Sequence, residues 1–351
     1  MRLFVTGAAG FVGGHFIKRA REQGHDVTGL IRAGSDCPTW LMQLGEAGVA
    51  IREGQLSDPA SLHAALDEAD CVCHFAAAFN GAGLTAEDFH RTNVEGTRNM
   101  LEVASARGVR RFVFCSTAGI YGQRVRGLIN EDFPAKPWNA YERSKLAAEE
   151  LVRNRAPAIG MEYVILRPTT IYGPHDKRLQ KLFRPASKGR FPLFGPGNGR
   201  RHMVYVTDVA EAFLRACTRA EAAGKEMIIA GPAAVPLHEL LRTVAAVAGR
   251  RRYGPRLPLW PAITLAAVTE DICRLLGLNP PLYRRRMDFY LNDAAFDGSR
   301  AAAVLGYRPQ VGLEEGLAAT FLASGLAVRR SCPQTCVPAS ELVGMNVEMF
   351  Y

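Results

Sequence analysis

Leu3-Phe4-Val5-Thr6-Gly7-Ala8-Ala9-Gly10-Phe11-Val12-Gly13 stands at the head of the chain, and its reading decides the fold. A short apolar run of strand length passes directly into a glycine-rich turn, and a helical segment follows. Strand, glycine turn and helix in that order are the setting a dinucleotide-binding loop requires. Glycine at these positions lets the chain turn tightly, lets a pyrophosphate approach the backbone and lets the helix pack near the strand. The unpaired N–H groups of the helix N-terminus face the anion. Gly7, Ala9, Gly10, Phe11, Val12 and Gly13 are therefore the candidate cofactor-loop residues.

Working outward, short β-branched or aromatic runs alternate with amphipathic segments as far as about Arg167. Strands are expected at Arg2–Thr6, Asp26–Ile31, Val49–Glu53, Cys71–Phe75, Arg111–Cys115 and Glu162–Leu166. Such alternation builds a parallel sheet covered by helices on both faces. Asp58 before Pro59 reads as a helix cap, with proline in the first turn. After Pro168 the alternation weakens and Gly/Pro punctuation rises, most densely over Phe191–Gly199. Helical patterns return at Thr207–Ala216, Leu237–Ala248 and Leu313–Ala323, and a short strand at Met227–Ala230. The expected fold is α/β, a Rossmann-type doubly wound parallel sheet with a smaller α/β C-terminal substrate lobe. Residues 1–168 form the dinucleotide-binding domain, to which parts of 205–235 return. Residues 169–328 form mainly the substrate lobe, and 329–351 read as a tail without periodicity.

At 351 residues, 48% hydrophobic and 22% charged, the chain has the composition of an ordinary globular protein. Its net charge of +9 favours anionic ligands. The basic runs Arg250–Arg252 and Arg284–Arg286 are too short for a nucleic-acid footprint, so no nucleic-acid partner is expected. Eight irregularly spaced cysteines read as reduced, mostly buried thiols, which points to the cytoplasm. Cys332 and Cys336 lack further ligands nearby, and no metal site is expected. No secretory signal is read at the N-terminus. Leu257–Leu276 comes nearest to a membrane span, but Pro258, Pro261, Glu270, Asp271 and Arg274 interrupt it, and an amphipathic helix is expected there.

The second strand ends in Leu30-Ile31-Arg32, where an NAD-preferring site usually presents a carboxylate to the adenosine ribose. Arg32 suits a 2′-phosphate instead, so NADP(H) is expected over NAD(H). Tyr141 and Lys145 are spaced to share one face of a helix. A nearby ammonium and a cationic nicotinamide would lower the phenol's pKa, letting Tyr141 exchange a proton with a substrate oxygen while hydride moves at the attached carbon. Ser116 and Thr117 close an apolar strand at its carboxyl end, where open α/β sheets bind ligands. Thr117 is the candidate donor to the substrate oxygen; strand-end capping suits Ser116 better.

Together, Thr6-Gly7-x-x-Gly10-Phe11-x-Gly13, His74-Phe75-Ala76-Ala77, Asn93-Val94-x-Gly96-Thr97, Ser116-Thr117, Tyr141-x-x-Ser144-Lys145 and Leu166-Arg167-Pro168 resemble the extended short-chain dehydrogenase/reductases, over roughly residues 1–326. The resemblance implies that Tyr141, Lys145 and Thr117 form the catalytic centre. It further implies that Ala76 and Ala77 line the cofactor, that Pro168 neighbours the nicotinamide and that Asn93 supports the site. Gln55-Leu56 stands where many members carry Asp-Leu against adenine. A homodimer is implied by the resemblance alone. Leu30–Ser35, Pro280–Arg284 and Leu305–Pro309 look most like the 3β-hydroxysteroid dehydrogenase and dihydroflavonol reductase branch, which acts on bulky alcohols and ketones. Gly197–Asp208 is similar instead to nucleotide-sugar 4-epimerases, in which Arg201, and Arg286 as a second ligand, would meet a substrate diphosphate. Dehydratases carry Asp-Glu after the catalytic Thr, and here Ala118-Gly119 follows Thr117. A non-catalytic cofactor-sensing protein on the same fold is a third alternative, against which the intact Thr117, Tyr141 and Lys145 argue.

Overall fold

The computed structural model describes residues 1–32, 34, 39–46, 48–79, 84–123, 125–176, 178–275, 289–326 and 328. Arg286, the Pro280–Arg284 motif, Cys332, Cys336 and the 329–351 tail lie outside the described residues.

Seven parallel strands form the main sheet: β1 (Arg2–Thr6), β2 (Asp26–Ile31), β3 (Ala50–Glu53), β4 (Cys71–His74), β5 (Arg111–Cys115), β7 (Glu162–Pro168) and β11 (Lys225–Ile229). Their spatial order is β11-β7-β5-β4-β1-β2-β3. The order reverses between β1 and β4, and ligands of such Rossmann-like sheets bind outside the strand carboxyl ends at that reversal.

The period of two along each strand feeds two cores. Leu3, Val5 and Val113 pack under α1 (Phe11–Glu22) and α8 (Val206–Thr218). Phe4, Phe112 and Phe114 pack on the other face, beneath α3 (Pro59–Ala65), α5 (Gly96–Ala106) and α6 (Ala140–Ala158). Asp58 caps α3 by accepting from the amides of Ala60 and Ser61 at 3.0 and 3.3 Å. Between β2 and β3 lies α2 (Thr39–Glu46), and α4 (Ala86–His90) precedes a π-helical turn at Arg91–Glu95.

The smaller strands are β6 (Leu128–Ile129), β8 (Thr170–Tyr172), β9 (Leu193–Phe194), β10 (Arg200–Tyr205), β12 (Ala234–Pro236), β13 (Arg256–Leu257) and β14 (Ala295–Phe296). They pair as β12-β10-β8, β13-β9 and β14-β6. A third core gathers Phe183, Leu240, Leu241 and Phe321 from α7 (Gln180–Ser187), α9 (Leu237–Val247) and α12 (Leu313–Ala323). The segment read as amphipathic is α10 (Leu259–Leu275), and α11 (Ser299–Leu305) follows later. No helix among the described residues is long and apolar enough to cross a membrane.

Most element ends fall within one or two residues of the sequence reading, and two of the differences bear on the site. β4 stops at His74, where the chain leaves the sheet toward the glycine loop, and β7 runs on through Arg167 and Pro168 because β11 pairs with it to its end.

Candidate active site

The glycine loop, Ala76, Ser116, Thr117 and Pro168 all follow or end strands at one edge of the main sheet. Gly7 takes φ +71°, and a Cβ there would lie 2.8 Å from the Ala76 amide nitrogen. A Cβ on Gly13 would lie 2.3 Å from the Gly7 carbonyl oxygen. Backbone thus meets backbone where a side chain cannot fit. Gly10 caps α1 without a side-chain bond, so the first-turn N–H groups remain available to an anion. Arg32 directly follows β2 and is exposed. Gln55 is exposed beyond β3, and its amide donates to the Ser61 hydroxyl at 3.0 Å. Leu56 packs onto the core beneath α5.

Behind the loop runs a buried polar chain. Ala76 N–H donates to Thr6 Oγ1 (3.2 Å), which meets His74 Nδ1 at 2.9 Å. His74 Nε2 meets Thr97 Oγ1 at 3.1 Å, and that hydroxyl donates to the Asn93 carbonyl at 2.7 Å. With the Thr97 proton committed, the network assigns the imidazole hydrogen to Nε2. Burial, reinforced by the Lys145 charge, pushes the His74 pKa down to about 3, so the ring is neutral. The π-helical turn carries Asn93, whose amide accepts from Ala78 N (2.7 Å) and donates to Ala78 O (3.0 Å) and Ser144 Oγ (2.8 Å). Ser144 in turn donates to the Tyr141 carbonyl at 2.7 Å. The glycine loop and the Tyr141 helix are therefore joined through fixed polar contacts.

Tyr141 lies in the first turn of α6. Asn139 accepts from the Glu142 amide (2.8 Å) and donates to the Glu142 carboxylate (2.8 Å), a reciprocal cap that fixes this turn. The signal was present in the sequence as Asn139-x-x-Glu142, though not used there. Lys145 is buried, with Nζ 4.0 Å from the Phe114 ring centroid. Burial pulls its pKa from 10.5 down to about 8, against the opposing pull of Cys115 and Glu149. Burial, helped by Cys115, raises the Tyr141 phenol, and Arg178 rather than Lys145 supplies the lowering influence.

The two strand-end hydroxyls differ in their surroundings. Thr117 Oγ1 accepts from Gly119 N at 3.0 Å, capping a short 3-10 turn, and still has its proton to donate. Ser116 Oγ is buried without a hydrogen-bond partner among the described residues, as is Thr169 Oγ1 just beyond Pro168. The sequence reading also missed Phe79, edge-on to Tyr141 at 4.7 Å between ring centroids, and Phe89 at 6.3 Å. Arg178 was missed as well. Its guanidinium lies over Phe11 and Phe79 (5.4 and 5.2 Å) and is held by buried Asp176 at 2.9 Å. Arg201 is drawn inward instead, donating to the carbonyls of Gly199, Arg200, Phe289 and Asn292. Trp260 on α10 is 74% exposed.

A model of the NAD dependent epimerase/dehydratase family matches residues 3–231. The chain belongs to this family. It is accordingly an NAD(P)-dependent oxidoreductase of the extended short-chain dehydrogenase/reductase type. Among members of this family, the 2-alkyl-3-oxoalkanoate reductase of Stenotrophomonas maltophilia is 31% identical over 333 residues, covering 90% of this chain and 97% of that protein. The decarboxylating sterol-4-alpha-carboxylate 3-dehydrogenase of Candida albicans is 28% identical, covering 90% of this chain and 95% of that one. A dTDP-glucose 4,6-dehydratase structure from Streptomyces venezuelae, with NAD bound, superposes with a TM-score of 0.74 at 26% identity, over 93% of this chain and 97% of that one. The glycine cradle and the unpartnered Ser116 and Thr169 hydroxyls fit the nicotinamide dinucleotide of this family. Gly7, Gly10, Gly13, Arg32, Gln55, Ala76 and Ala77 are the residues that would hold it.

Proposed function

We propose that the chain is an NADP(H)-linked ketoreductase or alcohol dehydrogenase for a bulky, apolar substrate, with Tyr141 as its general acid/base. The observation that carries this reading is the apolar wall of Phe79 and Phe89 against the Tyr141 ring. A nucleotide-sugar site needs a cation free to meet a diphosphate, and Arg201 is engaged with carbonyls of its own surroundings. When bound, the cofactor supplies or accepts the hydride. In the reducing direction Tyr141 gives its phenolic proton to the ketone oxygen and Thr117 donates a hydrogen bond to the same oxygen. Lys145 would hold the nicotinamide ribose, and Arg32 would bind the 2′-phosphate.

Arg178 narrows the substrate class. The reductase and dehydrogenase relatives are both named for substrates whose reacting carbon neighbours a carbon bearing a carboxylate. Arg178, stacked on Phe79 beside Tyr141, is held by Asp176 and Ile171 through Nε and Nη2, and its Nη1 would meet that carboxylate, which makes a 3-oxo or 3-hydroxy acid with a large apolar body the favoured substrate. The test is NADPH oxidation with a 2-alkyl-3-oxo acid and with UDP-glucose. Stoichiometric NADPH loss with the acid alone is expected, and Tyr141→Phe lowers kcat by at least about 100-fold. Arg178→Leu raises KM for the acid more than for the matching methyl ketone. Interconversion of UDP-sugars without net NADPH loss would instead establish the epimerase reading.

A further inference from the structure

Three cysteines far apart in the sequence converge on the sheet face covered by α8. Cys71 and Cys73 point the same way from β4, and Cys217 descends from the last turn of α8. All three are fully buried, their sulfurs lie within 4.8 Å of one another, and Cys73 and Cys217 are 3.2 Å apart. Buried thiols commonly serve as small apolar fillers. That role explains each one singly, yet it does not call for three sulfurs to face one another.

The surroundings are organised for negative charge. Arg111 is buried in β5 and donates to the carbonyls of Ala216, Cys217 and Arg219, fixing the end of α8 that carries Cys217. It also pairs with Glu162, which Arg110 approaches at 3.6 Å. Three thiolates around a divalent cation carry one net negative charge, and Arg110, Arg111 and Glu162 beside them together carry one net positive charge, so the charges balance.

We infer that Cys71, Cys73 and Cys217 form a three-thiolate site for a thiophilic closed-shell cation of the zinc class, cross-linking β4 to α8. Metal–thiolate bonds of about 2.3 Å at tetrahedral angles place neighbouring sulfurs roughly 3.8 Å apart. The contact at 3.2 Å and the outer limit of 4.8 Å bracket that spacing. Binding replaces three S–H bonds with three metal–sulfur bonds and releases three protons to solvent. Cys71 opens β4, at the strand end opposite the cofactor loop, so the site is separate from the Tyr141 chemistry and acts as a structural tie. In sequence the motif is only Cys-x-Cys with its third member much later, which is why spacing alone gave no metal site.

The test uses full-length protein, reduced and stripped of metal under anaerobic conditions. Cadmium(II) is titrated while the thiolate-to-metal ultraviolet charge-transfer band is followed, and zinc(II) is then measured in competition with a chromogenic chelator. One equivalent of each is expected, with only sulfur neighbours in the X-ray absorption spectrum of the zinc form. Cys71→Ala, Cys73→Ala and Cys217→Ala, checked for folding by circular dichroism and cofactor binding, each lower affinity by at least the 10–100-fold that follows loss of even an outer partner. Cys273→Ala, in α10, leaves binding unchanged. Absence of a stoichiometric charge-transfer band in the unsubstituted protein overturns the inference, whether or not the variants fold. So does binding that survives in all three variants, or a peptide map that finds Cys73 and Cys217 joined as a disulfide in protein that takes up no metal.

Discussion

Lys145→Met separates what the buried ammonium costs the fold from what it does in the site. The depression of Lys145 from 10.5 to about 8 corresponds to about 3 kcal/mol against the charged form. The cation–π contact with Phe114 at 4.0 Å offsets about 1 kcal/mol of this, so burial of the charge prevails. In the unfolded chain the amine keeps its proton to about pH 10, while in the folded chain it releases it near pH 8. Over that window the unfolded state binds more protons, so stability rises with pH, and the cost is fully present below it. Methionine keeps the unbranched stem and removes the charge. Cofactor-free Lys145→Met should therefore be about 2 kcal/mol more stable than the parent at pH 7 and should lose the rise between pH 8 and 10, while kcat falls by at least about 100-fold. Urea unfolding at a series of pH values reads the first two effects and steady-state NADPH oxidation the third. A variant destabilised at pH 7, with the parent's pH slope intact, would refute the reasoning by showing that the folded chain welcomes the ammonium.

Gly13→Ala places a Cβ 2.3 Å from the Gly7 carbonyl, so the loop must move; cofactor affinity measured by fluorescence titration falls at least about tenfold. Glu149 is fully buried against Arg167, which also reaches Glu226 and the Tyr121 hydroxyl. Glu149→Gln leaves that guanidinium undercompensated and lowers unfolding free energy by about 3 kcal/mol in urea titrations. Asn93→Ala breaks the bonds to Ala78 and Ser144, destabilising by about 1–3 kcal/mol; it lowers kcat with little change in KM, because Ser144 no longer steadies the Tyr141 turn.

The sheet and the chemistry at its edge were legible because both are local in sequence. Strand periodicity, the Gly7–Gly13 spacing and the four-residue step from Tyr141 to Lys145 are set by short-range geometry. What tunes those groups is not local. The Lys145 ammonium rests on Phe114, a residue of the β5 core, and Arg178 reaches Phe79 only after β7 and β8 have folded. The burial that raises the cofactor-free Tyr141 phenol is likewise set by distant chain and not by its helix neighbours. That Thr117 rather than Ser116 accepts from the Gly119 amide was not legible, because sequence does not say which of two adjacent hydroxyls faces the next turn. Arg201 shows the same limit: its motif is readable, whereas its engagement with Phe289 and Asn292 depends on chain ninety residues downstream.

Among the described residues, four buried side-chain oxygens lack a hydrogen-bond partner, on Ser116, Gln123, Thr169 and Asn292, and two of them stand at the strand ends where the chemistry is expected. A buried hydroxyl without a partner costs about 1–3 kcal/mol, and Ser116 and Thr169 place two at the carboxyl ends of β5 and β7. The depressed Lys145 adds a similar amount one helix away. By contrast, His74, Thr6, Thr97, Asn93 and Ser144, directly behind them, satisfy one another in an unbroken chain. A mutationally tolerant surface would show the reverse, with satisfied exposed groups and random gaps inside. Rigid, satisfied backing behind unsatisfied frontage is the arrangement that lets a cofactor and a substrate bind without first reorganising the protein. It also explains why the family is more legible in this chain than the substrate: the backing is built from the sheet, whereas Phe79 and Arg178 sit on connections beyond it.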